Sequence, residues 1–203
     1  MTDSDPASMN GFGIDPVAID LRRLVRRQVA SLYAHLVTRP TGRAVRLAIE
    51  TQLANAGEMA LSVIDFSEVH VVDFSCADEV VAKLLLHYQP PGEATRAFFI
   101  LRGVSDLHLE PIQAVLERHG LAAVAETTGG PCRLVGVPSE ADARVWRSLE
   151  ERGTLSPGDV PAHLPDEVDR ATLESLVRRG LVFRRPESGD YLALSNLMRS
   201  LMG

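Results

Sequence analysis

Four carboxylates, Asp65, Asp73, Asp78 and Glu79, stand close together in the chain around Ser75 and Cys76. Carboxylate oxygens at this density are the donor type that holds magnesium. The same residues also have ordinary uses at strand ends and in the first turn of a helix, and the spacing assigns no metal here. Ser75 stands where a helix is expected to begin. Its hydroxyl is expected to accept a hydrogen bond from a first-turn amide, with Asp78 completing a capping box. No histidine stands in a triad relation to Ser75, and His70 is alone in the preceding loop. Cys76 and Cys132 lack the paired spacing and the histidines of a zinc site, and two cysteines in a chain of 203 residues fit a reducing compartment. Gly129-Gly130 is a turn signal without the helix start that a phosphate loop needs. The residues therefore offer no catalytic group, no metal and no cofactor.

The elements that must position this segment can be read from hydrophobic spacing. Residues 61–66 form a short apolar run, the pattern of a strand buried on both faces. Ala77, Val80, Val81, Leu84, Leu85 and Tyr88 give one apolar helical stripe, stopped by Pro90-Pro91-Gly92. Upstream, Val45, Ala48, Ile49 and Leu53 repeat at helical spacing between Pro40-Thr41-Gly42 and Ala56-Gly57. A further strand is expected over 97–101, a helix around Leu109, Ile112, Val115 and Leu116 ending at Gly120, and strands over 122–125 and 132–137. A weak strand signal covers 31–37. Asp15-Pro16 has the form of a helix start, and the helix would reach about Gln28 with Arg22, Arg23, Arg26 and Arg27 on one solvated face. Strands alternating with helices predict an α/β fold with a layered sheet, over 15–138, after a mobile tail at 1–14.

The run Ile64-Asp65-Phe66-Ser67, then Val71-Val72-Asp73-Phe74-Ser75-Cys76-Ala77-Asp78-Glu79, resembles the STAS fold of anti-sigma-factor antagonists. There a strand ending Asp-Leu-Ser precedes Met-Asp-Ser-Ser-Gly. It is still more similar to STAS-like relatives whose loop reads Ser-Phe-Ala-Asp-Glu and whose upstream helix begins Arg…Gly-Arg, matched here by Arg39-Pro40-Thr41-Gly42-Arg43. The resemblance spans about 31–137. It implies that Ser75 is the phosphoacceptor and that Asp73, Ser75, Cys76, Asp78 and Glu79 bind a protein partner, a histidine-kinase-type ATPase or an anti-sigma factor. Cys76 stands where the antagonists have glycine, and Phe74 where they have the first serine. A phosphate at Ser75 would gain from the free amides of a helix start and would add up to about two negative charges beside Asp73, Asp78 and Glu79. Ser75 thus has two readings, plain helix cap and charge switch.

After Pro138 the pattern changes. Ser139-Glu140-Ala141-Asp142 is a capping box ahead of Val145, Trp146 and Leu149. Ser156-Pro157-Gly158-Asp159 reads as a second helix start and Pro165-Asp166-Glu167 as a third. Residues 181–183 and 191–194 read as two short strands. Three helices and a hairpin over 139–203 have the order of a winged helix, a small α+β unit. Its third helix opens with carboxylates, and nine basic residues face eleven acidic ones across the segment. Arg178, Arg179, Arg184 and Arg185 are the residues that would touch DNA, which makes a DNA-contacting regulator the alternative function.

The net charge of −6 disfavours bulk attraction to nucleic acid or an anionic membrane. No apolar run approaches a membrane span, and the start of the chain lacks the basic and apolar regions of a signal peptide. The expectation is a non-enzymatic, cytoplasmic regulatory protein.

Overall fold

The computed structural model describes residues 14–20, 35–54, 59–89 and 97–202. The expected tail up to residue 13, the arginine-bearing face at 22–27, the start of the 31–37 strand and the stops at 56–57 and 90–92 lie outside them, while Ile14, expected to end the tail, begins a strand. The fold is mixed α/β. Its main sheet has five strands in the order β1 (Ile14–Asp20), β3 (Met59–Asp65), β5 (Ala97–Val104), β6 (Ala122–Thr127) and β7 (Cys132–Gly136). The first four run parallel and β7 turns back antiparallel to β6. A separate parallel pair joins β2 (His35–Leu36) to β4 (Val71–Val72).

β1 corrects the reading of Asp15-Pro16 as a helix start. The segment pairs with β3 from Ile14 opposite Met59 to Asp20 opposite Asp65. Long-range pairing overrides the local capping signal there, and β1 lies at the sheet edge, where a residue without an N–H is tolerated.

The apolar strands are buried on both faces because alternate side chains enter two different cores. Ala60, Ile64, Ala97, Phe99, Leu101, Ala123 and Ala125 face one core. That core is closed by α1 (Arg39–Ala54), by the helical stretch 74–88, and by α4 (Asp106–His119). The stretch 74–88 comprises α2 (Phe74–Ala77), a π-helical turn (Asp78–Ala82) and α3 (Lys83–Tyr88). Leu61, Val63, Phe98, Ile100 and Val124 face the other core.

The chain beyond Pro138 fills that second core with α5 (Glu140–Arg152), β8 (Thr154–Leu155), α6 (Val160–His163), α7 (Glu167–Arg178), β9 (Val182–Arg184), β10 (Tyr191–Ala193) and α8 (Leu194–Met202). The capping box at Ser139 and Asp142 is present. The Trp146 indole N–H donates to the Leu181 carbonyl at 3.2 Å, and Phe183 packs edge-on against Phe98 with centroids 5.3 Å apart. β8, β10 and β9 form a three-stranded antiparallel sheet. Two local readings are corrected. The 156–159 segment is a turn, with the Ser156 hydroxyl donating to Asp159 at 2.8 Å, and the helix starts at Val160. Leu194 opens α8 rather than ending a strand. One hydrophobic core thus contains residues from both sides of Pro138.

Candidate functional site

β4 delivers the chain to Asp73, and the helix begins at Phe74. The N-cap is Asp73, which corrects the assignment of that role to Ser75. Asp73 Oδ1 accepts from the Cys76 backbone N–H at 2.7 Å, and the Ser75 hydroxyl donates to the same oxygen at 2.9 Å. Both residues are good caps by type. Asp73 takes the role because its backbone is still extended while Ser75 already lies in the first turn. Oδ2 accepts from the Thr38 N–H at 3.1 Å, so one carboxylate ties the start of α2 to the end of β2. Burial would raise the Asp73 carboxyl, but the Cys76 and Thr38 amides and the Ser75 hydroxyl outweigh it and hold the group below its ordinary value.

Cys76 is fully buried, and its thiol is pushed up to about 12 by burial and by the Asp73 charge. Its S–H donates to the Thr38 carbonyl at 2.9 Å. Gly42 of α1 lies against it so closely that a Cβ there would stand 2.8 Å from Cys76 Cα and 3.1 Å from Glu79 Cβ. This is why the position is glycine.

Asp78 and Glu79 point inward rather than to solvent, at 7% and 2% exposure. Asp78 accepts from Arg39 at 2.8 Å and pairs with His119 Nε2 at 2.8 Å. Glu79 accepts from Arg39 at 3.0 Å, from Arg46 Nε at 3.1 Å and from Lys83 Nζ. Arg46 is also paired to Glu50 at 2.6 Å. For both carboxyls burial acts upward, and the cations more than offset it, so both lie below their ordinary values. The network clamps α1 and α4 onto the π-helical turn. Arg46, Lys83 and His119 were not singled out from sequence: Arg46 and His119 carry only an opposite charge on other elements, while Lys83 stands four residues after Glu79, a spacing that does signal a helical ion pair. The segments Arg39…Gly42 and Ser75…Asp78-Glu79 meet in space, Arg39 through its guanidinium and Gly42 through its missing side chain.

Asp65 stands apart from this group. It accepts from the Ser67 hydroxyl at 2.6 Å and from Arg102 Nε at 3.1 Å. His70 is exposed, its ring edge-on to His35 at 6.3 Å. Among the described residues no group of three or more His, Cys, Asp or Glu is arranged to hold a metal ion.

Beside the exposed Ser67, Glu68 and His70, the loop and its neighbours present large apolar side chains to solvent. Phe74 is 53% exposed, Val71 42% and Val37 37%; Leu107, in the first turn of α4, is 75% exposed. β4 and α2 both pack against α4, and Val37 is next in the chain after the strand paired to β4, so these side chains lie on adjoining elements around the partly buried Ser75.

Of the four arginines expected to touch DNA, three stand beside carboxylates. Arg179 is bound to Asp142 at 2.8 Å. Arg184 lies 3.6 Å from Glu174 and over the Tyr191 ring, and Arg185 lies 3.8 Å from Asp190. Arg178 is exposed at the end of α7. Among the described residues no helix is long and apolar enough to cross a membrane. No family model, curated protein or solved structure matches the chain.

Proposed function

We propose that this chain is a non-enzymatic regulatory binding module. In this reading a STAS-like domain docks a histidine-kinase-type ATPase or anti-sigma partner through the surface around Ser75, inside a reducing, cytoplasmic compartment. The observation that carries the reading is Phe74. A large apolar side chain stands half-exposed at the first helical position, beside the Ser75 hydroxyl. Exposed aromatic residues at the centre of an apolar patch are the usual anchors of protein interfaces. Val37, Val71 and Leu107 extend that patch.

Asp78, Glu79 and Cys76 then support the surface from beneath rather than touch the partner, since their polar atoms are engaged inside the fold. Asp73 orients Ser75. If the partner phosphorylates Ser75, the phosphoryl group passes from ATP to Ser75 Oγ, ADP leaves and the hydroxyl proton goes to solvent. The product is a dianion in the middle of an apolar contact, where desolvation and the neighbouring Asp73 both oppose it.

The C-terminal segment runs helix–strand–helix–helix–strand–strand–helix, an order that supports the winged-helix reading, and we assign it a packing and protein-contact role. Its candidate DNA-binding arginines Arg179, Arg184 and Arg185 stand beside carboxylates, and its net charge is acidic. The test is hydrogen exchange of the full chain with and without a purified histidine-kinase-type ATPase. Slowed exchange over 71–76 and 106–108 supports the reading. Slowing confined to α7 and the β9–β10 hairpin would reject it.

A further inference from the structure

Thr38 is the one non-glycine residue among those described with a positive φ, at 96°. A β-branched residue there is a steric outlier, and such a conformation persists only where its surroundings hold it. Three groups of Thr38 are held. Its N–H donates to Asp73 Oδ2 at 3.1 Å. Its carbonyl accepts from the Cys76 thiol at 2.9 Å and from the Gly42 N–H at 3.1 Å. Its hydroxyl shares a hydrogen bond with Thr41 at 3.0 Å. Asp73 is common to this arrangement and to Ser75, because its other oxygen binds the Ser75 hydroxyl and the Cys76 amide.

We propose that Asp73 couples the chemical state of Ser75 to the backbone at Thr38, so that an anion placed on Ser75 releases the junction between β2 and α1. The inference rests on Ser75 being the switch of the docking surface. An anion there removes the hydroxyl donor and sets like charge against the Asp73 carboxylate. Asp73 then turns away, and Thr38 loses the partner of its N–H. Only its carbonyl and hydroxyl contacts then remain, one fewer than the positive φ needs, and it relaxes to negative φ. Its neighbours move with it. Val37 belongs to the exposed apolar patch, and Arg39 belongs to the ion network beneath it. Modification at Ser75 therefore reshapes the docking edge as well as changing its charge.

Amide hydrogen exchange on the full chain tests this, comparing wild type with S75A, S75D, S75E and the double variant T38G/S75D. In S75D and S75E the amides of Thr38, Gly42 and Cys76 are expected to exchange about tenfold faster or more, while Val63 in β3 keeps its wild-type rate. S75A, which adds no charge, is expected to change these rates by about threefold or less. Glycine adopts positive φ without strain, so T38G/S75D is expected to keep Gly42 near wild-type protection. Unchanged exchange at Thr38 and Gly42 in S75D would overturn the coupling, as would an equal acceleration at Val63. Gly42 exchanging as fast in T38G/S75D as in S75D would remove strain as the driving element and overturn it too. The docking reading is tested separately, by ATPase affinity. An S75D chain that loses the ATPase with unchanged exchange refutes the coupling and leaves docking in place.

Discussion

Replacing Glu79 by glutamine keeps the shape of the side chain and removes its charge, which makes it the sharpest probe of the network under the Ser75 loop. Glu79 is almost fully buried and faces Arg39, Arg46 and Lys83. Breaking a fully buried ion pair on one side costs about 3–5 kcal/mol. Here the cost is lower, because Arg39 and Lys83 are 50% and 38% exposed and can be rehydrated, while Arg46 keeps Glu50. A loss of about 2–3 kcal/mol remains, which lowers Tm by roughly 5–10 °C in a chain of this size. The lowered Glu79 carboxyl sets the sign of the pH dependence. A carboxylate depressed in the folded state stabilises fully above its unfolded value, near 4.5, and loses that contribution as pH falls through the folded value. The gap between wild type and E79Q should thus be widest near neutral pH and narrow in acid below about pH 4. Urea melts across that range measure it. A neutral-pH loss under about 0.5 kcal/mol, or a gap that does not narrow in acid, would refute the network as a structural clamp.

The same geometry sets other outcomes. Asp73→Ala should cost about 1–2 kcal/mol as a lost cap, and Ser75→Ala only about 0.5 kcal/mol, read from parallel thermal melts. Ser75→Asp should weaken ATPase binding and Ser75→Ala should leave it in place, measured by calorimetry; equal affinities would remove Ser75 from the switch. Cys76 should resist alkylation in the native chain and react after denaturation, since its thiol is buried and raised to about 12. Deleting 139–203 uncovers Leu61, Val63, Phe98, Ile100 and Val124, so the remaining chain should aggregate or fail to fold rather than behave as a free domain.

Much of the fold is legible in the sequence, for physical reasons that single residues illustrate. The 61–66 run announces a strand buried on both faces, and Leu61 and Ile64 do enter different cores. The stripe from Ala77 to Tyr88 announces its helix. The strand at 14–20 was not legible. Asp15-Pro16 carries a strong local signal, while the pairing that decides the outcome comes from β3, some 45 residues away. β8 is two residues long, too short for any periodicity. At the site, Asp73 and Ser75 are both capping residues two positions apart, and only backbone geometry chooses between them. The inward turn of Asp78 and Glu79 was hidden because their partners Arg39, Arg46 and His119 lie 33 to 41 residues away. Thr38 carried no sequence signal, since nothing in its neighbours announces a positive φ.

The proposed docking through the Ser75 surface is tested most directly at Phe74. Calorimetry of a purified histidine-kinase-type ATPase against wild type, Phe74→Asp and Leu86→Asp measures it, since Leu86 is also exposed but lies in α3, at the far end of the same helical stretch. An anchoring role predicts that Phe74→Asp weakens binding about tenfold or more while Leu86→Asp stays within about twofold of wild type. Binding unchanged by Phe74→Asp would contradict it.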